Sequence, residues 1–156
     1  MATISCKKLL QKLESDQIDH DSPFPMRAPE DYLENIDDED RDDPLLKQIL
    51  PLQLERMKHA GYNKDPLAEQ QQSPQSNIIH RYQGRALVML ASGCPIHCRY
   101  CFRRHFPYAE HHYDKNKLKT ILTYLESHTD IEEVIASGGD PLILPSRCLL
   151  YTSDAA

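Results

Sequence analysis

The chain has 156 residues, 40% of them hydrophobic and 27% charged, with a formal net charge of −6. That length suits one ordinary domain, the balance excludes a fibrous or disordered polypeptide, and the acidic pI near 5.7 argues against nucleic acid as a partner. No apolar run reaches the ~20 residues of a membrane span, and the N-terminus MATISCKKLLQKLES has no signal-peptide core, so a cytoplasmic protein is expected.

Taken in chain order, Ile4, Leu9, Leu10 and Leu13 fall near helical spacing and predict a short amphipathic helix over residues 3–15. Residues 21–31, DSPFPMRAPED, carry three prolines and read as an extended connector. The acidic run DDEDRDD at 37–43 leads into PLLKQILPLQLERMKHAG. There Asp43 and Pro44 are the N-cap and first residue of a helix and Gly61 its C-cap, with Pro51 breaking or kinking the middle. Residues 65–79, rich in Gln and Pro, predict a loop. There is no internal repeat.

After Arg85 the pattern changes. Ala86 to Ala91 is a continuous apolar run, as in a strand buried on both faces. Lys117 to His128 predicts a helix with Leu118, Ile121, Leu122 and Leu125 on one stripe, and Glu133 to Ser137 a second strand ending at Gly138 and Gly139. Strand, long loop, helix, strand is the opening of a parallel α/β layout. The division expected is a mostly helical N-terminal region at 1–80 and the beginning of an α/β domain at 81–147. One such unit neither closes a barrel nor covers a sheet, so the chain reads as an incomplete front part. The last residues, Cys148 to Ala156, resemble a sequencing adaptor read in frame. A foreign tail is therefore expected at 148–156, in which Cys148 has no native role.

Charge is unevenly spread. Between Gln70 and Ala109 there is no Asp, Glu or Lys, while Arg81, Arg85, Arg99, Arg103 and Arg104 all fall there. Arginine is a permanently charged fork that matches phosphate and carboxylate, so an anionic small ligand is expected; the alternative is a solvated basic face. Five cysteines, three of them within eight residues, look unlike a disulfide framework and more like a metal site in a reducing compartment. Cys94, Cys98 and Cys101 have the spacing C-x3-C-x2-C. Three thiolates in one loop suit a 4Fe-4S cluster and leave one iron open to a small molecule. The competing reading is structural zinc, with His97, His105, His111 or His112 as a fourth ligand; at this density the histidines read as polar loop residues, and none is assigned.

The cysteine spacing, with Tyr100 just before the third cysteine, resembles the signature of radical S-adenosylmethionine (SAM) enzymes. Ser137-Gly138-Gly139-Asp140, directly after the second strand, resembles the element that holds the amino group of SAM in that superfamily, with Asp140 in place of glutamate. His80-Arg81-Tyr82-x-x-Arg85, the cysteine loop, and then Phe102-Arg103-Arg104 resemble the lysine 2,3-aminomutase family in order and type. That resemblance implies a radical SAM barrel, with Cys94, Cys98 and Cys101 as cluster ligands and Tyr100, Ser137, Gly138, Gly139 and Asp140 around SAM. It further implies Arg81, Tyr82 and Arg85 around pyridoxal 5'-phosphate (PLP), and Arg103 on the carboxylate of L-lysine. Residues 23–29, Asp43 to Leu46 and Arg103 to Glu110 are similar to the EpmB-type branch, whose (R)-β-lysine product goes on to modify elongation factor P. An electron donor for the cluster is implied as well. In the family the lysine that bonds PLP and the acidic residues for the substrate's ε-ammonium lie further downstream. The 156-residue polypeptide is thus expected to be inactive and poorly folded by itself. Two alternatives stand beside this resemblance: a radical SAM enzyme without PLP, which leaves the Arg81–Arg85 segment unexplained, and a zinc-stabilised binding module.

Overall fold

The computed structural model describes residues 5–13, 16–74, 77–111 and 115–146; His112 and the expected tail at 148–156 lie outside them. The chain divides into two compact units. One is Met1–Lys64 with Pro95–Arg104, the other Asp65–Cys94 with His105–Ala156.

In the first unit, helix α1 (Cys6–Leu13) places Leu9 and Leu13 four residues apart, hence on one face, and both are buried. They join Ile18, Met26, Leu33, Leu46 and Ile49 in one apolar core, against which Ile96 of the cysteine loop also packs. Helix α2 (Glu30–Leu33) is a single turn that ends the proline connector and delivers Leu33 to that core. Helix α3 (Pro44–Ile49) begins as its sequence predicts. The Asp43 carboxylate accepts from the backbone N–H of Leu45 at 2.8 Å and Leu46 at 2.7 Å, with proline at the first helical position.

The break expected at Pro51 is complete rather than a kink. Pro51 pushes Leu50 into extended backbone and stops the helix outright. Beyond it the backbone finds other partners: Asp19 N–H donates to Pro51 O (3.0 Å), Gln53 N–H to Gln17 O (2.8 Å), and Ile18 bridges Leu52. Only a short 3₁₀ turn, Gln53–Arg56, remains of the predicted second half. Gly61 has φ +86 in a turn, rather than capping that helix.

The second unit is built on a three-stranded sheet, ordered β1 (Ile78–Tyr82), β2 (Arg85–Ala91), β3 (Glu133–Gly138). Strand β1 begins inside the segment expected as a loop, where Ile78 and Ile79 are buried, and pairs antiparallel with β2, Ile79 opposite Leu87 and Tyr82 opposite Arg85. Gly84, at φ +78, makes the two-residue turn between them. Helix α4 (Lys115–Ser127) then carries the chain to β3, which pairs parallel with β2. Ile121 and Tyr124 of α4 pack on Ile78, Ala86, Val88 and Leu90. The register steps at the end of the ladder: Met89 faces Ser137, but Ala91, two residues on, faces Gly138. One extra residue in β2 at that point is a bulge.

The fold is therefore mixed α/β, with the expected parallel strand–helix–strand unit and an antiparallel strand added at its edge. Among the described residues no helix is long and apolar enough to cross a membrane.

Candidate functional site

In the first unit the loop at 95–104 is fastened along its whole length. His97 N–H donates to Arg27 O (2.9 Å) and Arg99 N–H to Gln48 O (2.8 Å). The His97 ring stacks on Phe24 at 4.3 Å, and its Nδ1 lies 2.9 Å from Pro25 O. The proline connector thus serves as backing for the cysteine loop. Within the loop Cys101 N–H donates to Cys98 O (3.0 Å) and Arg104 N–H to Cys101 O (3.3 Å), a tight double turn. The thiols of Cys98 and Cys101 are free and half-buried. Tyr100, 72% exposed, is hydrogen-bonded to Cys98, and that contact pushes its hydroxyl above the ordinary tyrosine range. Tyr32 is pushed up too, first by burial and then by the charge of Cys98; its hydroxyl donates to Leu45 O at 3.0 Å.

Two arginines of the loop converge on one carboxylate that sequence reasoning did not single out. Arg99 donates to both oxygens of Glu55, at 2.9 and 2.5 Å, and Arg104 donates to Oε2 at 2.6 Å. Arg99 also donates to Phe24 O at 2.7 Å. Both guanidinium groups sit over the Phe24 ring, 5.1 and 5.2 Å from its centroid. Burial works to raise the Glu55 carboxyl, yet the bonds from Arg99 and Arg104 outweigh it and hold the group below the ordinary glutamate range.

In the second unit the strand ends meet. Gly139 N–H donates to Ala91 O (2.8 Å) and Asp140 N–H to Gly93 O (2.9 Å), so the glycine pair runs beside the residues leading into Cys94. A Cβ on Gly138 would lie 2.1 Å from Ala91 O, and one on Gly139 would lie 2.1 Å from Gly93 O. Gly138 also has φ +122, which side chains rarely adopt. Tyr108 donates to Gly138 O at 2.9 Å. Ser137 is half-buried at the end of β3, and the Asp140 carboxylate accepts from Leu142 N–H at 2.9 Å, capping the short turn Pro141–Ile143. Both features stand at carboxyl ends of parallel strands, where α/β folds place their sites.

Arg81, Tyr82 and Arg85 share the hairpin end of β1 and β2, all exposed. The Arg81 guanidinium lies 5.4 Å over the Tyr82 ring and donates to Leu67 O (3.2 Å); Arg85 pairs with Glu133 at 2.9 Å. Arg103 lies 4.8 Å over Phe102. Among the described residues no three His, Cys, Asp or Glu side chains are already gathered as a metal-binding group. Chain continuity keeps Cys94, Cys98 and Cys101 within eight residues, and none of the three is in a disulfide. Their chemistry fits iron–sulfur ligation. The bare Cα positions of Gly138 and Gly139 let the two strand ends touch beside the first of them.

The profile of the 4Fe-4S single cluster domain family matches residues 82–152. The chain is 43% identical over 120 residues to the L-lysine 2,3-aminomutase of Escherichia coli, covering 77% of this chain and 35% of that protein. It is 42% identical over 128 residues to that of Haemophilus influenzae, 82% of this chain and 38% of the relative. It is 34% identical over 121 residues to that of Clostridium subterminale, 77% of this chain and 29% of the relative. The chain spans about a third of the length of these curated relatives.

Proposed function

We propose that this chain, which belongs to the lysine 2,3-aminomutase family of radical SAM proteins, forms the cluster- and SAM-binding part of an enzyme that moves the amino group of L-lysine from C2 to C3. The observation that carries this reading is the backbone contact of Gly139 and Asp140 with Ala91 and Gly93, one residue before Cys94. It fixes the Ser137–Asp140 backbone directly beside the residues that lead into the first of the three cysteines. Cys94, Cys98 and Cys101 would hold the cluster. When bound, the cluster supplies one electron to SAM, and SAM and PLP supply the radical and the amino-group chemistry.

The chain's own residues bind and orient. Gly138 and Gly139 let the backbone approach SAM closely, and Asp140, with Ser137 beside it, offers acceptors for its amino group. Tyr100 lies next to the last two thiols in sequence and supplies an aromatic face. Arg81, Tyr82 and Arg85 would receive PLP, the two guanidiniums on its phosphate. Arg85 would exchange Glu133 for phosphate at little cost, since an exposed ion pair contributes roughly 0–1 kcal/mol. Arg103 would pair with the lysine carboxylate. In this reading the enzyme works in the cytoplasm with an electron donor, and its β-lysine passes to elongation factor P.

Anaerobic reconstitution of the chain with ferrous iron and sulfide tests the reading. A brown protein with about four irons is expected, with uptake lost in Cys94→Ala, Cys98→Ala and Cys101→Ala. A colourless protein holding about one zinc would overturn it. Equilibrium dialysis against PLP tests the second cofactor separately: binding should weaken in Arg81→Ala and Arg85→Ala.

A further inference from the structure

We propose that Glu55 is a positioning residue for the cluster, gathering Arg99 and Arg104 into a fixed, singly positive group beside Cys98 and Cys101; the inference rests on the function proposed above. Glu55 lies 44 residues before Arg99 and 49 before Arg104, outside the arginine-rich stretch and outside every motif. Its one carboxylate takes three hydrogen bonds from two guanidiniums. The three side chains are largely shielded, 9% exposed for Arg99, 19% for Arg104 and 22% for Glu55. Charge in such surroundings is weakly screened by salt.

Two positive charges against one negative leave a net positive charge. Asp19, which also feels the charge of Arg99, is matched by its own bidentate partner Arg56 at 2.6 Å, so that pair adds no net charge. Arg104 Nε is buried without a hydrogen-bond partner among the described residues, so part of its donor capacity remains unspent. The arrangement is also rigid. Phe24 lies beneath both guanidiniums and stacks on His97, while Arg104 Nη1 donates to Arg99 O at 3.4 Å, bracing the turn that carries both thiols. Arg99 directly follows Cys98, and Arg104 stands three residues after Cys101. Net charge and hydrogen bonding near a cluster set its reduction potential, so this group tunes how readily the cluster is reduced, besides holding its loop.

The test is the midpoint potential of the reconstituted chain, read by EPR during titration with dithionite. Glu55→Gln removes a negative charge and should shift the midpoint to more positive values. Arg104→Gln removes a positive charge and should shift it to more negative values. A residue that only stabilised the loop would not produce shifts of opposite sign. Loaded variants whose midpoints coincide with the unsubstituted chain would overturn the inference and leave the proposed function standing. If the unsubstituted chain takes up no iron, both fall together. If Glu55→Gln does not fold, Arg104→Gln decides alone: a negative shift supports the role, no shift ends it.

Discussion

The two units solve the same problem, holding functional groups at fixed positions, by different physics. The second does it with backbone. Its glycine pair is fixed by ladder bonds to Ala91 and Gly93 and backed by the apolar contact of α4 with the sheet. The first does it with charge. Apart from its apolar core, the cysteine loop is held by Glu55, by arginines and by carbonyls of a proline-rich segment. Backbone geometry hardly responds to pH, whereas a charge clamp does.

The largest effect expected is on the apolar base of the charged unit. Leu46, fully buried in that core, should lose about 2–5 kcal/mol on Leu46→Ala, measured by urea unfolding; a smaller cost would mean the clamp, rather than the core, carries the unit. Next is Gly139→Ala, whose methyl would strike Gly93 O. About 1–3 kcal/mol should be lost, and an unchanged unfolding midpoint would show that the strand ends are looser than the ladder implies.

Acid should separate the two units. The Glu55 carboxyl is held below its ordinary value of 4.5, so its contribution is complete above that pH and disappears as pH falls through the lower folded value. Amide exchange at Arg99, corrected for intrinsic pH effects, should then speed up by roughly tenfold, the scale of a charged hydrogen bond. Exchange at Val88 in β2 should hold steady. Equal acceleration at both would erase the contrast. The smallest effect concerns a neutral bond in the backbone-built unit: Tyr124→Phe removes the 2.8 Å contact with His80 and should cost roughly 0.5–1.5 kcal/mol.

What could be read from the sequence follows the same division. Strand β2, helix α4 and strand β3 announce themselves by apolar runs and period, and Asp43-Pro44 by cap chemistry, because each signal is contained in a few neighbouring residues. The cysteine spacing and the Gly138-Gly139 pair are local in the same sense. Strand β1 was obscured by the Gln-, Ser- and Pro-rich residues leading into Ile78. The predicted helix at 44–60 stops where Pro51 marks a break, but that residues 17–19 then take over the backbone beyond it is recorded nowhere within 44–60. Glu55 is the hardest case. Its role depends on side chains more than forty residues away, and the one acid between Pro44 and Lys64 has no local mark of those partners. A faint sign exists after the fact: arginines in a stretch without carboxylates must be neutralised from elsewhere.

The bulge at the end of β2 carries a consequence of its own. Since neighbouring strand residues point to opposite faces, inserting one extra residue reverses the phase of everything that follows. Ala91, the last residue of β2, stands in that reversed phase. Removing Leu90 would restore a regular ladder and turn over the end of the strand, so shortening this strand by one residue should damage the protein more than any replacement at the same position.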